Sequence, residues 1–471
     1  MKTDLERTIR TGIREYADTV RVVPPPFVAP APRQRRLGWL APALVATAVL
    51  TIVAAVAMVP VHGPVPATTV PGSADGPPSL PIRFAGYSRL TAPLSTAPLG
   101  RAIAAYEYSV VDTPIDAKQS LLVSADRAGY RQADPDWTGS GSPWGPSGTD
   151  PAPVLLAPDG TALAFAAVNG KPGVIGIVNL ATGEVVRHPV TPGADVTALA
   201  WSADGHRLAY LMHGAVPPPS HSTVLDLDPA RTAAQRSTSG RLAVLDLDSG
   251  RSTIADPAIT AAVASFAPDG TSLAVQDGPG QPIRILDPAT LAVRHEAPVS
   301  SVRYLAGPAA WSPDGRLLAL AQGDPTDQGL PVRISVVDPA TMNPWPNAVD
   351  VTESVIGFLG WRSPTTLLYQ RGGQPNLVIA QVPVTGGRSE AMATFVDEAR
   401  HDRHLSDLQL AYGLLPDLVI RPADSDADHG PWPTWLRLTV VVAGAVLAGL
   451  AWLVWRSIRR RRGSCPTTSR S

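Results

Sequence analysis

The sequence predicts an all-β domain built from repeated four-stranded units and flanked by two membrane-spanning helices. Three observations support this prediction: a turn-forming segment recurs along the middle of the chain, two uncharged apolar runs lie near its ends, and arginines cluster outside both runs. The 471 residues suffice for one large domain, and 50 prolines with 40 glycines are too many for a helical bundle.

Charge and cysteine content exclude several classes of protein. The 39 basic and 40 acidic residues nearly cancel, so there is no global basic field and we expect no nucleic-acid partner. The single cysteine, Cys465, excludes an intramolecular disulfide framework, a cysteine-rich zinc site and an iron–sulfur cluster. Only three of the basic residues are lysines, and with the many alanines, prolines and glycines this predicts a GC-rich, actinobacterial source.

The balanced net charge hides basic ends around an acidic middle. Residues 1–36 carry a net charge of +4 and residues 456–471 carry +6, so the whole-chain value of −1 leaves −11 for the residues between them. An anchored protein explains this pattern, because basic flanks of membrane segments stay in the cytoplasm.

Two uncharged runs are candidates for the membrane segments. Residues 37–61 and 438–455 contain no charged side chain, and about 20 apolar residues in a helix cross the hydrocarbon core. Tryptophans flank the second run, as is typical of a bilayer interface. We therefore expect a two-pass plasma-membrane protein with both termini in the cytoplasm. A cleaved signal peptide is the alternative for the first run, but its apolar stretch is longer than such peptides use.

The cytoplasmic leader predicts a short helix. Thr3 to Glu6 fits a capping box, apolar residues recur at helical spacing up to Val20, and three prolines from Pro24 follow. This helix would either dock a cytosolic partner or lie on the inner leaflet, and the sequence leaves both open.

The middle of the chain repeats one pattern. An apolar or aromatic residue precedes a turn centred on an aspartate and a glycine, and Leu-Ala or a similar pair follows it; the aspartates are Asp159, Asp204, Asp269 and Asp314. They lie 45, 65 and 45 residues apart, and an insertion near 217–240 accounts for the longer interval. Pro-Asp-Gly favours a tight turn, so the aspartates are interpreted as turn formers rather than ligands. Third strands with their own turns follow, which makes four short strands per unit, as in a β-propeller blade.

Weaker copies of the pattern set the predicted number of blades. Residues 97–104 and 361–368 keep part of it, and residues 408–412 form a further candidate whose partner strands would come from 81–87. Pairing the first and last strands in one blade would protect the edges of the array. We predict seven blades, with six as the alternative.

The repeated aromatic-Ser-Pro-Asp-Gly-x-x-Leu-Ala unit, as at Trp311 to Ala319, resembles the TolB-type, WD-repeat-like propeller repeat. The resemblance covers roughly residues 80–420. It implies the fold but no particular function, because these residues build turns and blade cores.

No motif of established chemistry stands out, and we predict no catalytic, cofactor-binding or metal site. The sequence has no Gly-x-Ser-x-Gly elbow, no phosphate-binding Gly-rich Lys loop and no His-Glu-x-x-His. His401 and His404 could hold a metal only with a third ligand. Residues 424–430 begin like a calcium loop but have His429 where glycine is needed, so a solvated acidic spacer is preferred. Cys465 could be acylated.

These observations favour a membrane-anchored, non-enzymatic binding or sensing module over an enzyme. The expected partners are the bilayer and an extracytoplasmic protein, peptide or glycan whose identity the sequence does not give. Inserted loops at 132–150 and 214–240 would decorate one face of the propeller. The alternative is an extracytoplasmic lyase, lactonase or glycan hydrolase with its site at the central mouth.

The predicted organisation follows the chain in order. It comprises a cytoplasmic leader at 1–36, a membrane helix at 37–61, a linker at 62–80, the propeller at 81–420, an acidic linker at 421–434, a second membrane helix at 435–456 and a basic cytoplasmic tail at 457–471.

Overall fold

The computed structural model describes residues 76–85, 88, 90–110, 119–134, 154–166, 173–191, 195–213, 240–300, 303–322, 332–348, 350–372, 376–396, 403–423, 427–432 and 434–462. The chain divides into two compact units, one of residues 62–437 and one of residues 1–61 with 438–471. The larger unit contains a β-propeller, as the repeat predicts.

The described strands form six blades of four antiparallel strands. Blade 1 consists of β2 (Ala102–Val110), β3 (Gln119–Ser124), β4 (Tyr130–Gln132) and β24 (Arg403–Leu410). Blade 2 consists of β5 (Val154–Leu156), β6 (Ala162–Ala166), β7 (Val174–Asn179) and β8 (Val185–Pro189). Blade 3 consists of β9 (Asp195–Trp201), β10 (Arg207–His213), β11 (Gly240–Asp246) and β12 (Arg251–Ile254).

Blades 4 to 6 follow in chain order. Blade 4 consists of β13 (Val263–Phe266), β14 (Leu273–Gln276), β15 (Ile283–Leu286) and β16 (Val293–Ala297). Blade 5 consists of β17 (Arg303–Leu305), β18 (Leu318–Gln322), β19 (Val332–Val337) and the start of β20 (Val351–Ser363). Blade 6 consists of the rest of β20, β21 (Thr366–Arg371), β22 (Asn376–Pro383) and β23 (Glu390–Val396).

The six-bladed alternative is therefore the one that the described residues form, and the count of seven is not confirmed. The last strand of the propeller blades, β24, pairs with β2, with Ala104 opposite Leu410. The copies at 97–104 and 408–412 thus belong to one blade, whereas they were predicted to belong to two. Joining the first and last strands of the propeller in blade 1 closes the ring, as predicted.

The segment that was predicted to complete the last blade pairs with other strands. The described part of this segment, residues 81–85, contributes no strand to blade 1, and the Phe84 N–H donates to the Thr394 carbonyl of blade 6 at 3.1 Å. Instead β1 (Ser79–Pro81) pairs in parallel with β25 (Val419–Arg421). The two ends of the propeller therefore lie side by side.

The buried apolar side chains explain why the ring is stable. Those of the described residues fall into six clusters, and each cluster lies between two neighbouring blades. Every blade thus buries both faces, which an isolated four-stranded sheet does not do.

A long helix, α1 (Thr434–Arg462), contains the predicted second membrane segment. Over the residues that the structure describes, it contains no helix that is both long enough and apolar enough to cross a bilayer. The first predicted segment, 37–61, and the leader helix lie outside the described residues, so both membrane segments stay predictions.

Candidate functional site

The repeat aspartates form turns, as predicted. Each carboxylate accepts a hydrogen bond from the backbone N–H two residues later, at 3.0 Å for Asp159, 3.1 Å for Asp204, 2.9 Å for Asp269 and 3.2 Å for Asp314. The glycine that follows each aspartate has a φ near +70°. The same face of the propeller therefore presents one such turn for each of blades 2 to 5.

The aromatic residue before each turn ties its blade to the one before. The indole N–H groups of Trp201, Trp311 and Trp361 donate to carbonyl oxygens of the preceding blade, at 3.1, 3.0 and 3.0 Å. Trp201 and Trp361 are 1% and 2% exposed, whereas Trp311 is only half-buried. The three tryptophans occupy equivalent places, but Trp311 is more exposed than the other two. The residues around each ring explain this difference.

Two positions cover the aromatic residue at each junction. The first lies three residues after the turn aspartate of the preceding blade. The second lies just after the third strand of the blade that contains the aromatic residue. For Trp361 these positions hold Leu317 and Val384, which are 4% and 3% exposed and share its cluster. For Trp201 the first position holds the shorter Ala162 and the second holds Leu247, and both pack against the cluster that contains Trp201.

The junction of blades 3 and 4 uses a different cover. Phe266 takes the place of the tryptophan and is 4% exposed. Arg207 occupies the first position, lies 5.8 Å from the centre of the phenyl ring, and donates to the Gly270 carbonyl at 2.9 Å. A long side chain therefore covers this ring too.

The junction of blades 4 and 5 lacks both covers. The first position is Ser272 and the second is Pro339, and neither reaches as far as leucine or arginine. A cavity of about 720 Å³ lies there, and Trp311 forms part of its wall. We define this cavity as the junction groove. The departure from the repeat at two positions at once marks it as the candidate binding site.

The wall of the junction groove combines an aromatic ring with carboxylates. Its lining residues come from blades 4 and 5 and are Ala267, Pro268, Asp269, Ser272, Ile285, His295, Trp311, Pro313, Asp314, Gly315, Pro339 and Ala340. Asp269, Asp314 and His295 are exposed, whereas Ile285 is buried at its base. Such a groove can hold a side chain or a small ligand between an apolar wall and a polar rim.

Sequence reasoning missed this groove, although the sequence carries its signal. Alignment of the repeats shows that the first position varies, with Ala162, Arg207, Ser272 and Leu317 in blades 2 to 5, and that the second holds Leu247, Pro288, Pro339 and Val384 in blades 3 to 6. Of these junctions, the one between blades 4 and 5 combines a short residue at the first position with a proline at the second. The repeat aspartates were recognised, but only as turn formers.

The metal and modification candidates from the sequence receive little structural description. His401, Cys465 and residues 424–426 lie outside the described residues, and His404 is described only as backbone in β24. Of the predicted inserted loops, 135–150 and 214–239 also lie outside. No group of three or more histidine, cysteine or acidic side chains placed to hold a metal occurs among the residues that the structure describes.

The acidic segment at 427–430 is not a solvated spacer, which corrects the prediction for that part. Its backbone lies along the outer edge of blade 1, where the Tyr130 N–H donates to the Asp428 carbonyl at 2.8 Å and the Ala92 N–H donates to the His429 carbonyl at 2.7 Å. Arg131, whose side chain is 5% exposed, contacts the Asp428 carboxylate at 2.9 Å. The segment covers a strand edge that would otherwise be open to pairing.

The docked segment contains a titratable group whose charge opposes docking. His429 lies 2.9 Å from the Thr91 hydroxyl and 5.5 Å, ring to ring, from Tyr130. Burial lowers the pKa of His429; the Asp428 carboxylate opposes this shift and the Arg131 guanidinium adds to it. Burial alone would raise the pKa of Asp428, but the hydrogen bonds from Arg131 and from the Gly430 N–H outweigh it, so that pKa is lowered.

These shifts predict weaker docking in mild acid. The folded-state pKa of His429 is below its unfolded value of about 6.5, so the undocked segment binds more protons and docking weakens as pH falls below about 6.5. Asp428 contributes stability above about pH 3.9, so it does not change between pH 7.5 and 5.5. We expect amide protection of Ala92 and Tyr130 to drop over this range in the wild type. In His429→Gln it should stay constant; an equal drop in both proteins would contradict the assignment.

Several solved structures are similar to this chain at low sequence identity. No family model and no curated protein matches the sequence. TolB from Acinetobacter baumannii has a TM-score of 0.41 and 14% identity, covering 66% of this chain and 66% of that structure. The β-propeller domain of Cps50 (Swd1) from Myceliophteria thermophila has a TM-score of 0.34 and 14% identity, covering 52% and 72%. An oligogalacturonate lyase from Vibrio parahaemolyticus has a TM-score of 0.35 and 12% identity, covering 59% and 71%.

The fold and the groove together define a class. The chain is a β-propeller whose described strands form six blades. The function must be argued from the groove.

Proposed function

We propose that this protein is a membrane-anchored, extracytoplasmic propeller that binds a protein or peptide partner in the junction groove. The observation that carries the proposal is the half-buried Trp311, since equivalent tryptophans in the same ring are 1% and 2% exposed. Because the indole of Trp311 is only half-buried, this junction lacks part of the apolar burial that stabilises the other junctions. A partner that fills the groove would supply that burial on binding.

The membrane placement in this proposal rests on the sequence. The uncharged runs at 37–61 and 438–455 and the arginines outside them support a two-pass anchor with both termini in the cytoplasm. We expect the protein to fractionate with membranes, and protease added outside intact cells to digest residues between the two runs. Digestion only after the cytoplasmic side is opened would contradict this topology.

Site-specific crosslinking in cells tests the binding site. A photoreactive amino acid at Ala340, on the rim of the groove, should crosslink to one partner, whereas the same probe at Asp248 in blade 3 should not. Asp248 occupies the equivalent turn position and is exposed, so it controls for general surface contacts.

A filled groove supplies the second control. Ser272→Leu places in blade 4 the residue type that Leu317 supplies at the next junction, so it should cover Trp311 without disturbing the turn. We expect the Ala340 crosslink to fall at least about fivefold, since losing a central anchor costs more than 1 kcal/mol of binding. An undiminished crosslink in Ser272→Leu would show that the partner does not use the groove.

A further inference from the structure

We infer that the junction groove binds a positively charged side chain, an arginine or a lysine, presented by the partner. This inference rests on the proposed function, because it names the chemistry of the ligand at the same site. Three features of the groove support it: the sign of its charge, the part of the indole that remains available, and the unused capacity of its carboxylates.

The groove is negatively charged along its rim. Asp269 belongs to blade 4 and Asp314 to blade 5, and the described lining contains no arginine or lysine. A cation entering between them gains attraction from both carboxylates. A like-charged or strongly polar neutral group would not gain in this way.

The arginines nearest the groove are engaged elsewhere. Arg294 pairs with Asp287 and also donates to the Thr271 carbonyl at 2.8 Å. Arg316 lies over the ring of Trp345, with 5.8 Å between guanidinium carbon and ring centre. Both arginines thus have partners that are not part of the lining of the groove.

The indole of Trp311 offers its π system rather than its polar atom. Its N–H already donates to the Ser265 carbonyl at 3.0 Å, so a ligand cannot use that group without breaking the tie between blades 4 and 5. A ligand can therefore contact the ring only through its π face or its C–H edge, and of these the electron-rich face attracts a cation. Tryptophan is the best aromatic partner for a cation, and guanidinium groups stack on it well.

The carboxylates retain room for a ligand. Among the described hydrogen bonds, Asp314 uses one oxygen, which accepts from the Ser312 hydroxyl at 2.6 Å and the Arg316 N–H at 3.2 Å. Asp269 accepts from the N–H and the hydroxyl of Thr271, both at 2.9 Å. A carboxylate offers about four acceptor positions, so both can also accept from a guanidinium or ammonium group.

Fluorine NMR of the full chain labelled with 5-fluorotryptophan tests the inference. Trp311→Phe identifies the Trp311 resonance among the 11 tryptophans. The probes are N-acetyl-arginine methylamide, its citrulline counterpart of the same shape without the charge, and methyl β-glucoside. We expect the arginine probe to move the Trp311 resonance and the citrulline probe to bind at least about fivefold more weakly, because it lacks the charge.

Matched variants assign the effect to the groove. Asp269→Asn with Asp314→Asn should weaken the arginine probe about tenfold, as expected for the loss of two charge-assisted contacts. Asp159→Asn with Asp204→Asn makes the same change of charge at the same repeat positions away from the groove, and should leave binding unchanged. Ser272→Leu should abolish the shift.

Three outcomes would overturn the inference: equal binding of the arginine and citrulline probes, a shift with the glucoside alone, or equal weakening by the two aspartate pairs.

The proposed function fails in a different way. If the arginine probe binds as expected but Ser272→Leu leaves the Ala340 crosslink intact, the groove binds cations without being the partner site. If the crosslink is lost but the probes bind equally, the partner uses the groove through another group.

Discussion

Trp201→Ala is expected to lower the free energy of unfolding by about 3–5 kcal/mol, the usual cost of removing a buried large aromatic side chain. Trp201 is 1% exposed and packs with blades 2 and 3 in one cluster. Its N–H also donates to the Leu155 carbonyl at 3.1 Å, so the substitution both creates a cavity and removes a hydrogen bond between the two blades. Denaturant titration of the full chain, followed by far-ultraviolet circular dichroism, measures the loss.

Two other variants separate the contributions to this loss. Trp201→Phe keeps most of the apolar contact and removes only the hydrogen bond, so it should cost about 1 kcal/mol; Phe266 in blade 4 shows that the position accepts phenylalanine. Trp311→Ala should cost less than Trp201→Ala, because its ring is half-buried and borders the junction groove. Equal losses for Trp201→Ala and Trp311→Ala would show that the groove is closed in solution.

The sequence was sufficient to predict the fold class because the signals of a propeller repeat are local. Pro-Asp-Gly specifies its turn within a few residues, and the structure shows the expected side-chain bonds at Asp269 and Asp314. Each blade then follows from the apolar residues on either side of the turn. The total of six blades was within the alternatives, but the repeat pattern alone did not select it.

Closure of the ring within one blade was predicted, but the segments that pair there could not be, because that information is not local. Pairing of Ala104 with Leu410 joins two half-repeats that lie some 300 residues apart, and each half alone reads as a weak copy of a whole repeat. The docking of residues 427–430 was missed for the same reason. Asp428 looks like part of a solvated acidic run until Arg131, 297 residues earlier in the chain, is placed beside it.

The candidate site depends on a comparison that a search for motifs does not make. Serine at Ser272 and proline at Pro339 are ordinary residues in a turn-rich segment. They become informative only when the fold shows which two positions adjoin Trp311, and that the junctions on either side have a longer side chain at one or both of them, Arg207 in one and Leu317 with Val384 in the other. In a repeat protein the informative residues are thus departures from the internal consensus at covering positions, whereas the consensus residues themselves build the fold.

Gly160→Ala is the second substitution for which we expect a large effect, and Gly205→Ala is its matched control. The two glycines occupy the same place in the turns of blades 2 and 3, with φ of +70° and +73°. Alanine in this left-handed conformation costs about 1–2 kcal/mol at either position. Gly205 has nothing within 4 Å of an added Cβ, so Gly205→Ala should cost only that amount.

At Gly160 an added Cβ would lie 2.1 Å from the Ala102 carbonyl oxygen, which is backbone and cannot move aside cheaply. The Ala102 N–H donates to the Gly160 carbonyl at 2.8 Å, so relieving the clash would stretch the bond between blades 1 and 2. Adding a cost of about 1–3 kcal/mol for forced overpacking, we expect Gly160→Ala to lose about 2–5 kcal/mol in total. Ala102 begins β2, the strand that pairs with β24 and closes the ring. Hydrogen exchange should therefore show weaker protection of the β24 amides in Gly160→Ala than in Gly205→Ala. Equal stability and equal protection in the two variants would mean that the contact between Gly160 and Ala102 does not hold blade 1 to blade 2.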